Sequence, residues 1–444
     1  MTTTATVPGC PVGESFDPLS PEFLADPYAA LARRPGQGSP VFFAPSIGYY
    51  VVASYDAIDA VFRDTATYSA AVAQAPLAPI VPEAQQILLA GGHKPQPSMV
   101  SLDEPEHARL RKPAARAFSM KRVTAMIPTI EATAARLLDA VGDQTEFDLV
   151  AALAFPLPAN IVFSLMGVPE QDYARVKQWC GYRAALSFGR PAAEDQVEIA
   201  TTMAAYRRYM RDLVDDKVRE PGDDLASDLI AIHREAPERL TLDEIASILF
   251  SLSFAGHETT TGLIGNTVRR LLEDPARWAA IVLHPDLIPA AVEESLRYDP
   301  SVAVWRRVTT RPVTLAGVDL PEGARLFLWL AAAGRDEAAF DKPGDFDLHR
   351  PSGRRTAPGL RQRPALLPGR EPRQAGGPDR GGRTSPPLPQ PATGPGPALR
   401  LPPQHLVPRP PDHEGANPPV ERRPDEVNEA NWASSPARLI RSGR

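Results

Sequence analysis

Residues 255–261 read Ala-Gly-His-Glu-Thr-Thr-Thr, which puts an imidazole, a carboxylate and three hydroxyls inside an otherwise apolar stretch. Glycine costs about 1 kcal/mol relative to alanine in a helix interior. A threonine hydroxyl there can bond back to the carbonyl four residues earlier and bend the helix. Gly256 with a threonine alone reads as a packing notch with a polar edge. Glu258 asks for more, because a buried carboxylate needs a partner or a task. Two other constellations carry charge at helical spacing. In Asp103-x-Pro105-x-His107-x-x-x-Arg111 the imidazole and guanidinium stand four apart and share a face, and Glu294 and Arg297 stand three apart. Taken singly, each of these two also fits solvated surface.

The elements that must position these groups are mostly helical. Thr241 and Glu244 form a capping box at the start of an apolar-periodic run that ends before Asp274-Pro275. This spacing predicts one continuous helix over 241–273, about 50 Å long. Further helices are expected over 28–32, 54–63, 127–141, 148–166, 171–188, 194–218 and 279–298. A β-hairpin is expected over 40–52, strands over 302–310, 313–318 and 325–330, and a long loop over 70–100.

The formal net charge of −6 over 444 residues argues against a general nucleic-acid binder. No apolar run is long enough to cross a membrane, and the first residues lack a basic start and an apolar segment, which predicts a cytoplasmic protein. Cys10 and Cys180, far apart, exclude a disulfide framework and a cysteine-based structural metal site. About two-fifths of the 50 prolines lie beyond residue 353, so residues 354–444 read compositionally as a disordered tail behind a domain of residues 1–353.

In order and separation, D-x-P-x-H-x-x-x-R, A-G-x-E-T-T in a long helix, E-x-x-R and F-D-x-x-R (residues 346–350) resemble the cytochrome P-450 family in its soluble bacterial form, from about residue 16 to 350. The resemblance implies a mainly α domain with a small β region, holding haem b between the long helix and a cysteine loop. It implies that His107, Arg111 and Arg307 bond the haem propionates, with Arg306 the neighbouring alternative to Arg307. Ala255 and Gly256 would give dioxygen room. Glu258 and Thr259 would match the acid–alcohol pair that delivers protons. Glu294 and Arg297 would form a buried structural network. His257 occupies a variable position and receives no role. The implied activity is oxygen insertion into a small apolar substrate by a monomer that takes electrons from a ferredoxin or similar donor, with Arg109, Lys112 and Arg116 as candidate docking cations. The substrate pocket would be lined by residues 70–100, 184–204, Phe254 and 302–304.

The family's cysteine loop, F-x-x-G-x-H-x-C-x-G, should follow Arg350 and supply the iron thiolate. Here no cysteine follows Cys180, so no axial metal ligand is identified. Read one base later, residues 360–369 can spell F-G-N-G-P-H-Y-C-L-G. Residues 370–380 can then spell the amphipathic A-N-L-A-K-L-E-A-R-I-A, and residues 404–411 N-I-S-F-R-G-P-R. This predicts an uncorrected frameshift near Arg354–Arg355 that leaves the C-terminal part of the fold missing. The chain as written is then expected to bind haem poorly. The competing expectation is a helical small-molecule-binding protein without enzymatic activity, or a misfolded haem-deficient relic.

Overall fold

The computed structural model describes residues 7–91 and 98–351, so the expectations for residues 354–444 lie outside the described residues. Strands β1 (Val41–Ala44) and β2 (Tyr49–Val52) form the expected hairpin. Their apolar, β-branched and aromatic residues are all buried, because both faces of this sheet are covered. One face packs against Phe16, Phe23 and Trp329, the other against Tyr55, Ile58 and Val61. With β3 (Tyr68–Ser69), β4 (Val304–Thr309) and β7 (Arg325–Trp329) the order is β1-β2-β7-β4-β3, and β2 and β7 run parallel. The expected strand over 313–318 is instead a hairpin of β5 (Val313–Leu315) and β6 (Val318–Leu320). Ala316 (φ 47°) and Gly317 (φ 82°) make its left-handed two-residue turn.

The helices that matter here are α1 (Tyr55–Arg63), α2 (Pro82–Ala90), α3 (Glu106–Ala117), α4 (Ile127–Asp139), α5 (Pro156–Met166), α6 (Tyr173–Phe188), α7 (Ala193–Arg219) and α8 (Leu225–Glu235). After them come α9 (Leu242–Ala255), α10 (Glu258–Leu272), α11 (Pro275–Leu283) and α12 (Ile288–Tyr298). Helices α5 to α9 enclose the largest core, around Phe163, Tyr206, Met210 and Leu249. The segment over 148–166 starts as a π-helical turn, Val150–Ala154, before α5. A helical turn at Leu31–Arg33 is the remnant of the helix expected over 28–32. The stretch over 70–100 contains α2, so it is not a plain loop. The helix expected over 279–298 is split into α11 and α12, because Pro285 and Pro289 interrupt the hydrogen-bond ladder.

The capping box is formed: Glu244 N–H donates to Thr241 Oγ1 at 3.2 Å and Thr241 N–H to Glu244 Oε2 at 2.8 Å. Glu294 and Arg297 are both buried and bonded through two N–H···O contacts of 2.8 and 2.7 Å. The guanidinium also donates to the carbonyls of Gly334, Pro343 and Asp345 at 2.6, 2.9 and 2.8 Å. Glu294 accepts in addition from Asp347 N–H and from Arg350, both at 3.0 Å.

Gly334 passes so close to this network that a Cβ there would fall on the Arg297 carbonyl oxygen. Gly334→Ala should therefore cost about 1–3 kcal/mol, as overpacking does, read as a lower urea midpoint. An unchanged midpoint would mean that the backbone yields freely there.

Candidate active site

The expected single helix over 241–273 is two helices, broken at Gly256-His257. Gly256 N–H still bonds Leu252 O (2.7 Å) and Thr261 N–H bonds His257 O (2.8 Å). Between them the Thr259 hydroxyl donates to Ala255 O at 3.0 Å, the back-bond that bends a helix. Space beside Gly256 is taken by α5, since a Cβ would lie 2.5 Å from Val162 Cγ2. Its smallness serves a helix–helix contact, as the packing-notch reading of the sequence expects. Ala255 is half-buried one turn before Thr259.

His257, given no role from the sequence, is fully buried beside the acid. Its Nδ1 lies 2.5 Å from Ser253 O, an acceptor, so this nitrogen carries the proton and donates. Nε2 stands 3.1 Å from Glu258 Oε1, outside hydrogen-bond alignment, and the ring meets Phe163 edge-on at 5.4 Å. A second neighbour is Lys177 on α6. Its ammonium caps the Phe155 carbonyl and lies 2.9 Å from the centroid of the Phe155 ring. Burial pushes the Lys177 pKa down to about 7, with Glu258 and Cys180 pulling weakly in the other direction. No sequence spacing links Lys177 to Glu258; tertiary packing brings them together.

The remaining candidate cations lie on α3 and β4. His107 bonds Glu104 through Nδ1 at 2.9 Å. Arg111, on the same face, makes no hydrogen bond or ion pair among the described residues, and burial lowers its pKa. Arg307 lies over the Phe62 ring (5.3 Å) and bonds one neutral acceptor, Arg306 O, at 2.9 Å. Burial pulls it down to about 10 against the opposing charge of Asp103. Arg306 points elsewhere, to the carbonyls of Ala73, Ala75 and Ser187. Of the docking cations, Lys112 and Arg116 are exposed, but Arg109 is committed within the fold, at 2.7 Å from Glu106 and 2.5 Å from Glu244.

The site is thus a broken central helix with an acid and a hydroxyl at its break, and two guanidiniums, Arg111 and Arg307, that no carboxylate bonds among the described residues. Comparison with known proteins identifies the family. The cytochrome P-450 family model matches residues 284–368. Erythromycin C-12 hydroxylase of Saccharopolyspora erythraea is 35% identical over 69% of this chain and 73% of its own length. Cytochrome P-450 monooxygenase PikC of Streptomyces venezuelae is 34% identical over 78% and 80%. The structure of cytochrome P-450 CREJ in complex with (4-ethylphenyl) dihydrogen phosphate aligns with a TM-score of 0.72 at 37% identity, over 76% of this chain and 83% of that one. The chain belongs to the cytochrome P-450 monooxygenase family.

The family's haem b fits part of what the structure offers. Arg111 and Arg307 keep N–H donors free among the described residues, and guanidinium donors suit carboxylate oxygens. An iron thiolate does not fit. The Cys10 thiol is buried and directed at Pro11 O at 3.5 Å. The Cys180 thiol bonds Tyr206 Oη at 3.2 Å, and burial pushes it up to about 12, so it is a neutral thiol. Among the described residues, no helix is long and apolar enough to cross a membrane.

Lys177 generates a pH signature. Below about pH 7 its ammonium is charged in both folded and unfolded chains, and the folded state bears the whole desolvation cost. Between about 7 and its ordinary 10.5 the unfolded chain holds a proton that the folded one lacks, so stability rises with pH. Lys177→Met should raise the thermal midpoint at pH 6, with a gain that fades towards pH 10. An equal gain at both pH values would count against the assignment. Glu294→Gln should cost about 3–5 kcal/mol, because Arg297 is then left charged and buried without its carboxylate. Chemical denaturation reads this loss.

Proposed function

We propose that residues 1–353 are the distal and propionate-side parts of a haem-thiolate monooxygenase, and that residues 354–444 are an out-of-frame tail. The polypeptide as written then lacks the iron ligand and the activity. One observation supports this reading: Arg111 and Arg307 keep spare N–H donors suited to carboxylates, while neither cysteine of the sequence is available as a thiolate. His107, Arg111 and Arg307 are assigned to the propionates. Glu258, with His257 and Lys177 beside it, and Thr259 are assigned to proton handling. No step at iron is assigned to the chain as written.

Uncovered apolar surface supports the shifted frame. Helix α4 buries none of its residues, leaving Ile127, Ile130 and Leu138 exposed, and Val150 and Phe155 lie exposed as well. A helix with an apolar stripe normally buries it. The amphipathic segment spelled by the shifted frame at 370–380 would bring such a stripe of its own. Membership of the monooxygenase family supports an organic substrate and an external electron donor; we assign a small apolar substrate and a ferredoxin-type donor serving a cytoplasmic monomer.

Resequencing the gene across codons 353–368, followed by parallel expression of the chain as written and the frame-restored chain, tests the proposal. The restored chain should bind haem stoichiometrically and give a thiolate-type reduced–CO spectrum, and the written chain should give none. Such a spectrum from the written chain would sink the reading.

A further inference from the structure

Burial of a charged group is costly unless an opposite charge meets it. Arg183 on α6 is 4% exposed, yet among the described residues no carboxylate bonds it. Its Nη1 donates to Phe250 O at 2.5 Å and Nη2 to Gln74 Oε1 at 3.2 Å, which leaves three of five N–H donors over. Its guanidinium carbon lies 4.4 Å from the Phe250 ring centroid and 5.2 Å from that of Phe254. Arg207 on α7, 8% exposed, stands 5.7 Å from the same Phe250 centroid without any hydrogen bond among the described residues. Burial lowers the Arg183 pKa and the charge of Arg207 lowers it further, while Tyr206 and Cys180 oppose. The carboxylate nearest in charge to Arg207, Asp243, is 3.5 Å from Arg211.

A third buried guanidinium closes the group from the sheet side. Arg306 lies 4.9 Å from the Phe188 ring, which stacks on Phe254 at 6.1 Å and 14°. It bonds the carbonyls on either side of Gln74, the residue held by Arg183. Phe254 immediately precedes Ala255, so the cluster abuts the helix break that carries Glu258 and Thr259.

We propose that the substrate of this pocket is an amphiphilic organic acid, with an oxyanion head bound by Arg183 in the field of Arg207 and Arg306 and an apolar body against Phe254 and Phe188. The inference rests on the substrate-pocket reading given above, of which only Gln74, Phe188 and Phe254 are used here. Arg306 holds the Gln74 segment in place, and Arg183 supplies the free donors.

The test is calorimetric titration of the full chain with 4-butylbenzoate and with its neutral isostere 4-butylbenzamide. The acid should bind about tenfold tighter or more, the scale of a hydrogen bond to a charged group. Arg183→Gln should abolish this preference and leave amide affinity unchanged, and Arg183→Lys, which keeps the charge, should retain part of it. Equal binding of acid and amide to the unaltered chain, or an acid preference surviving in Arg183→Gln, overturns the proposal alone. Binding of neither probe overturns it together with the pocket reading.

Discussion

The Glu294–Arg297 ion pair is the contact on which the second half of the structure hangs. Burying two opposite charges is expensive, and the cost is offset only when geometry is good and the remaining donors are satisfied. Here all five guanidinium N–H groups are used, two on Glu294 and three on carbonyls 37 to 48 residues further along the chain. The carboxylate in turn collects Asp347 N–H and Arg350. One turn of α12 thereby fixes residues 334–350, an irregular stretch that regular hydrogen-bond ladders cannot hold. Because β7 leads directly into that stretch, the sheet carrying Arg306 and Arg307 is oriented by the same pair.

The helix break works by a complementary rule. A gap in a buried ladder must have its polar groups answered locally. The Thr259 hydroxyl answers Ala255 O, and His257 Nδ1 answers Ser253 O. The residues that make this stretch look polar in the sequence therefore mend the backbone they disturb. Glu258 is left free of that duty, with His257 Nε2 and the Lys177 ammonium as its electrostatic surroundings.

Much of this was legible in advance. The capping box at Thr241, the hairpin at β1 and β2, α6, α7 and the order of the charged motifs all follow from local chemistry. What escaped depends on partners distant in sequence. Gly256 reads as a packing notch in the sequence, but its partner, Val162, some ninety residues away, is not legible there. The buried Glu294–Arg297 pair follows from the resemblance and not from its three-residue spacing, which fits a surface pair equally well, because the carbonyls that complete it come from another segment. The split of α11 from α12 was a different kind of miss, since Pro285 and Pro289 were visible and helical periodicity was allowed to outweigh them.

Structural and functional arginines separate by the partners they find. Asp299 is fully buried and meets Arg269 at 2.7 Å and Arg270 in direct contact; burial alone would raise its pKa, and these cations overcome that and lower it. Arg297 meets Glu294, and Arg109 meets Glu106 and Glu244. In these cases a carboxylate meets the buried guanidinium that serves the fold, whereas Arg306 does the same with three backbone carbonyls. Among the described residues no carboxylate bonds Arg111, Arg307, Arg183 or Arg207, on α3, β4, α6 and α7, and burial lowers the pKa of each. In the proposals above, the anions for these guanidiniums come with the ligand, and an anion that arrives with a ligand cannot be encoded as a side chain.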